Sequence, residues 1–145
     1  CSCTNYEKKR YIKKLSGPLL DRFDMILEIP RLKQTEFKED TQLNESSKDI
    51  VKRIQNAVSI QYSRFNKAHQ NGTIPSAIFN KKTSLTPNQK EFLGHFIESG
   101  KLTARSCDKL IKVAQTIADL EQAQCISDQH LSEALHYRQT TALDC

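Results

Sequence analysis

The spacing of apolar residues changes near residue 45, and this change limits what the chain can build. Upstream there is one apolar run of strand length, Met25-Ile26-Leu27-Glu28-Ile29, stopped by Pro30. A single strand leaves its backbone donors and acceptors unpaired, so it needs a sheet supplied by other residues. No second such run is present. The chain also opens on Cys1 and not on Met. Both features lead us to expect a piece of a longer protein, with residues 1 to about 45 mobile, repacked or paired with another chain.

Downstream the apolar positions follow helical spacing. A first helix is expected from Ser47 to Ala68, with Ile50, Val51, Ile54, Ala57, Val58 and Phe65 on one stripe. Asn71-Gly72 marks a turn, and Thr73 to Ser84, which includes Pro75, reads as loop. Thr86 caps a second helix, with Pro87 at its first position and Gln89 completing a capping box. That helix presents Phe92, Leu93, Phe96 and Ile97 and stops at Ser99-Gly100. A third opens at Thr103 or a neighbour and carries Cys107, Leu110, Ile111, Ala114, Ile117 and Ala118. Ser127 caps a fourth, with Ile126 and Leu131 placed for a hydrophobic staple. The predicted fold is mainly α: a four-helix bundle over 47–140, a linker over 32–46, and a segment over 1–31. That segment holds a short helix started by Ser16-Gly17-Pro18 and the one orphan strand.

The formal charge of +5 permits contact with nucleic acid without establishing it. Much of the surplus lies in Lys8, Lys9, Arg10, Lys13 and Lys14, and in Lys48, Lys52, Arg53, Arg64 and Lys67, which equally suit solvated helix faces. No apolar run approaches the ~20 residues of a membrane span, and no secretory signal opens the chain. With that, the odd number of cysteines, 5, fits reduced thiols and a cytoplasmic location. Cys107 and Cys125 read as small buried hydrophobes. Cys1 and Cys3 could offer two thiolates to a metal, but a tetrahedral zinc site takes four ligands. No Gly-x-x-x-x-Gly-Lys-Ser/Thr phosphate loop and no Asp-Glu strand end occur. His69, His95, His130 and His136 are scattered and form no nucleophile–base signature. The chain alone is therefore not expected to be an enzyme.

Two blocks and an ending carry a family resemblance. Lys14 to Asp24 reads Lys-Leu-Ser-Gly-Pro-Leu-Leu-Asp-Arg-Phe-Asp, followed by the apolar run and Pro30-Arg31. Leu102-Thr103-Ala104-Arg105 leads into Leu110 to Leu120, and Ile126-Ser127 leads into His130 to Arg138. Together they resemble the C-terminal part of the magnesium-chelatase/ComM (YifB-like) family of AAA+ ATPases. The resemblance implies an arginine-finger segment followed by the helical AAA+ lid. It puts the finger on Arg22, which would act in trans on a neighbouring subunit, and the nucleotide-sensing sensor-two arginine on Arg105.

A guanidinium is permanently charged and suits charge developing on a transferred phosphoryl group. A bland alternative pairs Arg22 with Asp21 or Asp24. Arg105 could likewise be a solvated first-turn arginine, although a cation is disfavoured at a helix start. Whether Arg105 would serve its own subunit or a neighbour stays open.

The resemblance further implies ATP and magnesium (Mg2+) in the full-length parent, with neither bound tightly by this part. Partners would be its own AAA+ core, neighbouring subunits of a homo-oligomeric ring and, as a candidate, DNA. Cys1 and Cys3 resemble half of a cysteine cluster, hence half of a zinc site in the parent. Gln115 and Val58 depart from the family, which usually or often has Arg at these places. The leading functional reading is a DNA branch-migration motor. The alternatives are a chelatase-type ATPase driving metal insertion into a porphyrin, and a stand-alone helical adaptor or nucleic-acid-binding module.

Overall fold

The computed structural model describes residues 3–12, 14, 17–27, 29, 45–66 and 69–138. Among them the chain forms seven helices and no strand: α1 (Asn5–Ile12), α2 (Gly17–Leu20), α3 (Ser47–Arg64), α4 (Ser76–Lys82), α5 (Pro87–Glu98), α6 (Ala104–Leu120) and α7 (Asp128–His136). The four helices expected after residue 45 are α3, α5, α6 and α7.

Local chemistry explains where these helices start and stop. Thr86, Thr103 and Ser127 each cap a helix within a reciprocal box whose third helical residue is Gln89, Ser106 or His130. In the last of these the Ser127 N–H donates to Nδ1 of His130 at 3.0 Å. The ring's proton is therefore on Nε2, which donates to Glu121 Oε2 at 2.8 Å. Gly100, at φ +71, closes α5: its N–H donates to Ile97 O and that of Lys101 to Phe96 O, both at 3.0 Å. Gln122 closes α6 in the same way at φ 59, although it carries a Cβ.

α6 is the centre of the packing and touches α3, α5 and α7. Its apolar face, Cys107, Leu110 and Ala114, is buried with Leu93 of α5, Leu102, and Ile126, Leu131, Ala134 and Leu135 around α7. Burial of this kind stabilises by about 25 cal/mol per Å2 of apolar surface. Gln89 ties two helix starts together, since its Nε2 donates to Ile126 O at 3.1 Å and to Asp128 Oδ1 at 2.9 Å.

Three outcomes differ from the sequence reading. The stretch Thr73 to Ser84 is not all loop, because α4 forms after Pro75. Seven residues are too few to show helical periodicity or to hold a helix alone. Tertiary packing holds this one: Phe79 is buried with Ile74 and Phe65, and Ile111 of α6 packs against them. Along α3 the expected stripe is only half buried. Ala57 is enclosed and Phe65 lies just past the helix, while Ile50, Val51 and Ile54 are exposed. Cys125 is exposed, so only Cys107 behaves as a buried hydrophobe.

The orphan strand is a further correction. Met25, Ile26, Leu27 and Ile29 take no strand conformation. No neighbouring strand exists among the described residues to offer a ladder, and the Ile26 N–H donates instead to Tyr137 O at the end of α7, at 2.8 Å. Within this run it is the Ile26 backbone that is tied to the C-cap residue of α7. Most of the linker assigned to 32–46 lies outside the described residues.

Candidate functional site

Leu19, Leu20 and the turn after α2 deliver residues 21–24 to the junction of α6 and α7. Within the turn Arg22 N–H donates to Leu19 O at 3.0 Å and Phe23 N–H to Leu20 O at 3.1 Å. From the start of α6, the Thr103 hydroxyl donates to Asp21 Oδ2 at 3.1 Å. Nearly two turns further on, Lys109 Nζ donates to Arg22 O and pairs with Asp24 Oδ1 at 2.7 Å. From the end of α7, Arg138 Nη1 donates to Phe23 O at 2.9 Å, and its Nη2 lies 3.8 Å from Asp21 Oδ1. Burial pushes the Arg138 guanidinium down from its ordinary value, while Asp21 and Asp24 oppose that shift.

The two sequence-predicted arginines are therefore brought to one end of the helical bundle. Arg22 is held through its main chain, and its exposed side chain makes no hydrogen bond or ion pair with another described residue. Asp21 and Asp24 are paired with Arg138 and Lys109, so the alternative in which they neutralise Arg22 does not describe this structure. Arg105 stands two residues past the cap Thr103, exposed and likewise without a described side-chain partner. Arg22 and Arg105 thus each present a permanently charged guanidinium with no hydrogen bond or ion pair to another described residue, Arg105 in the first turn of α6.

Cys1 lies outside the described residues, and Cys3 is exposed. No group of three or more His, Cys, Asp or Glu side chains suited to a metal ion occurs among the described residues.

Sequence reasoning missed Lys109 and Arg138, which hold the segment around Arg22. It also missed a buried polar cluster behind α6. Asp119, 0% exposed, accepts from Arg64 Nη1 at 3.0 Å, Arg64 Nη2, Asn71 Nδ2 at 2.8 Å and Gln115 Nε2 at 3.1 Å. Arg64, counted above among residues suited to a solvated basic face, is thus mostly enclosed. The available signal was Asp119 itself, a carboxylate next to Ala118 on an otherwise apolar face. Gln115, found where the family resemblance leads one to expect arginine, serves the same carboxylate.

Residues 44–138 match the family model described as magnesium chelatase, subunit ChlI C-terminal, and residues 1–37 match that of magnesium chelatase, subunit ChlI. The chain belongs to the magnesium chelatase family.

It is 38% identical over 136 residues to a protein of Salmonella typhimurium named YifB and described as uncharacterized, covering 94% of this chain and 26% of that protein. It is 34% identical over 129 residues to the competence protein ComM of Haemophilus influenzae, covering 89% of this chain and 25% of ComM. An uncharacterized protein of Mycobacterium bovis is 29% identical over 144 residues, 98% of this chain and 28% of that protein. The chain thus spans about a quarter of the length of the curated relatives it matches. No helix among the described residues is long and apolar enough to cross a membrane.

Proposed function

We propose that this chain is the finger-bearing segment and helical lid of an ATP-hydrolysing AAA+ ring protein similar to ComM. Arg22 reaches across a subunit boundary to the γ-phosphoryl group of ATP bound by a neighbour, and Arg105 reports nucleotide state to the lid. ATP and magnesium bind the rest of the parent protein, and this part alone hydrolyses nothing. The parent works in the cytoplasm, in a homo-oligomeric ring, on DNA.

The observation that carries this reading is the exposed side chain of Arg22, unpaired with any other described residue and held by its backbone beside the start of α6, where Arg105 also stands. A finger needs this combination: a fixed base, and a charge not already neutralised. Similarity to a competence protein supports DNA as the substrate. The name of the matching family model supports the second reading, an ATPase driving metal insertion into a porphyrin.

The deciding experiment is steady-state ATP hydrolysis by the full-length parent, with and without branched DNA, beside its Arg22→Ala variant. The expected result is a rate raised by DNA and lowered about a thousandfold or more in the variant. A wild-type rate indifferent to DNA favours the chelatase-type reading. An unimpaired Arg22→Ala enzyme removes Arg22 from the mechanism.

A further inference from the structure

We propose that Lys109 and Arg138 are positioning residues, forming a clasp that makes the Arg22 segment move as one body with the start of α6 and the end of α7. The inference rests on the finger reading of Arg22 and adds how that finger is held and moved.

The clasp is directed at the backbone. Lys109 donates to the carbonyl of Arg22 itself, and Arg138 donates to the carbonyl of Phe23. Carbonyl contacts of this kind locate the main chain just after the Arg22 Cα and leave its guanidinium untouched. The flanking carboxylates then hold the two cations: Asp24 pairs with Lys109 at 2.7 Å, and Asp21 lies 3.8 Å from Arg138. The cation side chains are 19% and 9% exposed, but Asp24 is 68% and Asp21 28% exposed. The Lys109–Asp24 pair is therefore open to solvent screening, and the carbonyl contacts carry most of the clasp.

Two further links complete the attachment. Thr103, the cap of α6, donates to Asp21, and the Ile26 N–H reaches Tyr137 O at the end of α7. Arg105 lies between Thr103 and Lys109 on the same helix, so the helix that carries the sensor also carries the finger's anchor. A rotation of the lid therefore displaces Arg22. Displacing a charged group by about 1 Å from its productive position can cost about a hundredfold in rate.

The test compares Lys109→Met, Arg138→Met, the conservative Lys109→Arg, and Arg22→Ala in the full-length parent. Amide hydrogen exchange of Ile26 is followed in the present chain. The expected outcome is a kcat about ten- to a hundredfold lower in both methionine variants with KM for ATP unchanged. Lys109→Arg should recover most of the loss, and Arg138→Met should weaken Ile26 protection about fivefold or more. A merely structural loss would lower the amount of active enzyme without being restored by arginine at 109.

Wild-type kcat in both methionine variants, beside an impaired Arg22→Ala, overturns this inference and leaves the functional reading intact. An unimpaired Arg22→Ala overturns the functional reading and with it the positioning role. Unchanged Ile26 protection in Arg138→Met, whatever the kinetics, shows that the clasp does not hold the segment and likewise refutes the inference.

Discussion

Replacing Arg64 by methionine should be among the most damaging single changes in the bundle, and the structure says why. Asp119 is 0% exposed and lies in the last turn of α6, where the negative end of the helix dipole disfavours a carboxylate. Arg64 provides two of its hydrogen bonds and the only positive charge among its described partners; Asn71 and Gln115 provide one neutral bond each. Removing one member of a buried ion pair costs about 3–5 kcal/mol. The two neutral donors remain in Arg64→Met, and the Arg64 side chain was 16% exposed, so water can enter the vacated space. Both facts place the expected loss at the lower end, about 3 kcal/mol.

A domain of this size has about 5–15 kcal/mol in total, and each kcal/mol shifts Tm by about 4–8 °C, so a fall of about 12–24 °C follows. Thermal and urea unfolding followed by circular dichroism would measure it. In a cycle with Asp119→Asn, which removes the charge but keeps an acceptor for Asn71 and Gln115, the coupling should be about 1.5–3 kcal/mol. A Tm shift under about 3 °C for Arg64→Met, or coupling below about 0.5 kcal/mol, would refute the assignment of a buried, charge-dependent pair.

Three further outcomes follow from local environments. Burial, aided by Asp108, raises the pKa of the Cys107 thiol, so a thiol reagent should modify Cys3 and Cys125 well before Cys107. Peptide mapping showing Cys107 labelled as fast as Cys125 in the folded chain would contradict this. Gln122 pays the left-handed penalty at the end of α6, so Gln122→Gly should raise stability by up to about 1 kcal/mol, and an unchanged or lower urea midpoint would count against it. The backbone N–H and then the hydroxyl of Thr4 hold the Glu7 carboxyl below its ordinary value. A depressed folded value means that this cap helps α1 at pH above the ordinary carboxylate range and is lost as pH falls through the lowered value. An NMR titration placing Glu7 at or above the midpoint of a free glutamate would exclude the cap.

The sequence by itself determined where α5, α6 and α7 begin and where α5 ends, whereas α3 stops at Arg64, short of the expected Ala68. Thr86 with Gln89, Thr103, Ser127 and Gly100 act within one turn of the groups they satisfy, so their effect needs no knowledge of the rest of the chain. It also pointed to Arg22 and Arg105, through the blocks in which they stand. It did not show how the Arg22 segment is held. Thr103 meets Asp21 across 82 positions, Lys109 meets Arg22 across 87, and Arg138 meets Phe23 across 115.

Nor did it separate Arg64 from the exposed basic residues around it, since the partner Asp119 is 55 positions away. Met25 to Ile29 has the composition of a strand, yet strand formation depends on a neighbour for its backbone. Seven residues of α4 became helical because Phe79 found Ile74 and Phe65. In each of these cases the deciding free energy is a desolvated charge, an unpaired amide or a buried ring. Its sign is set by whichever distant group the folded chain brings within contact, and only the tertiary structure supplies that group.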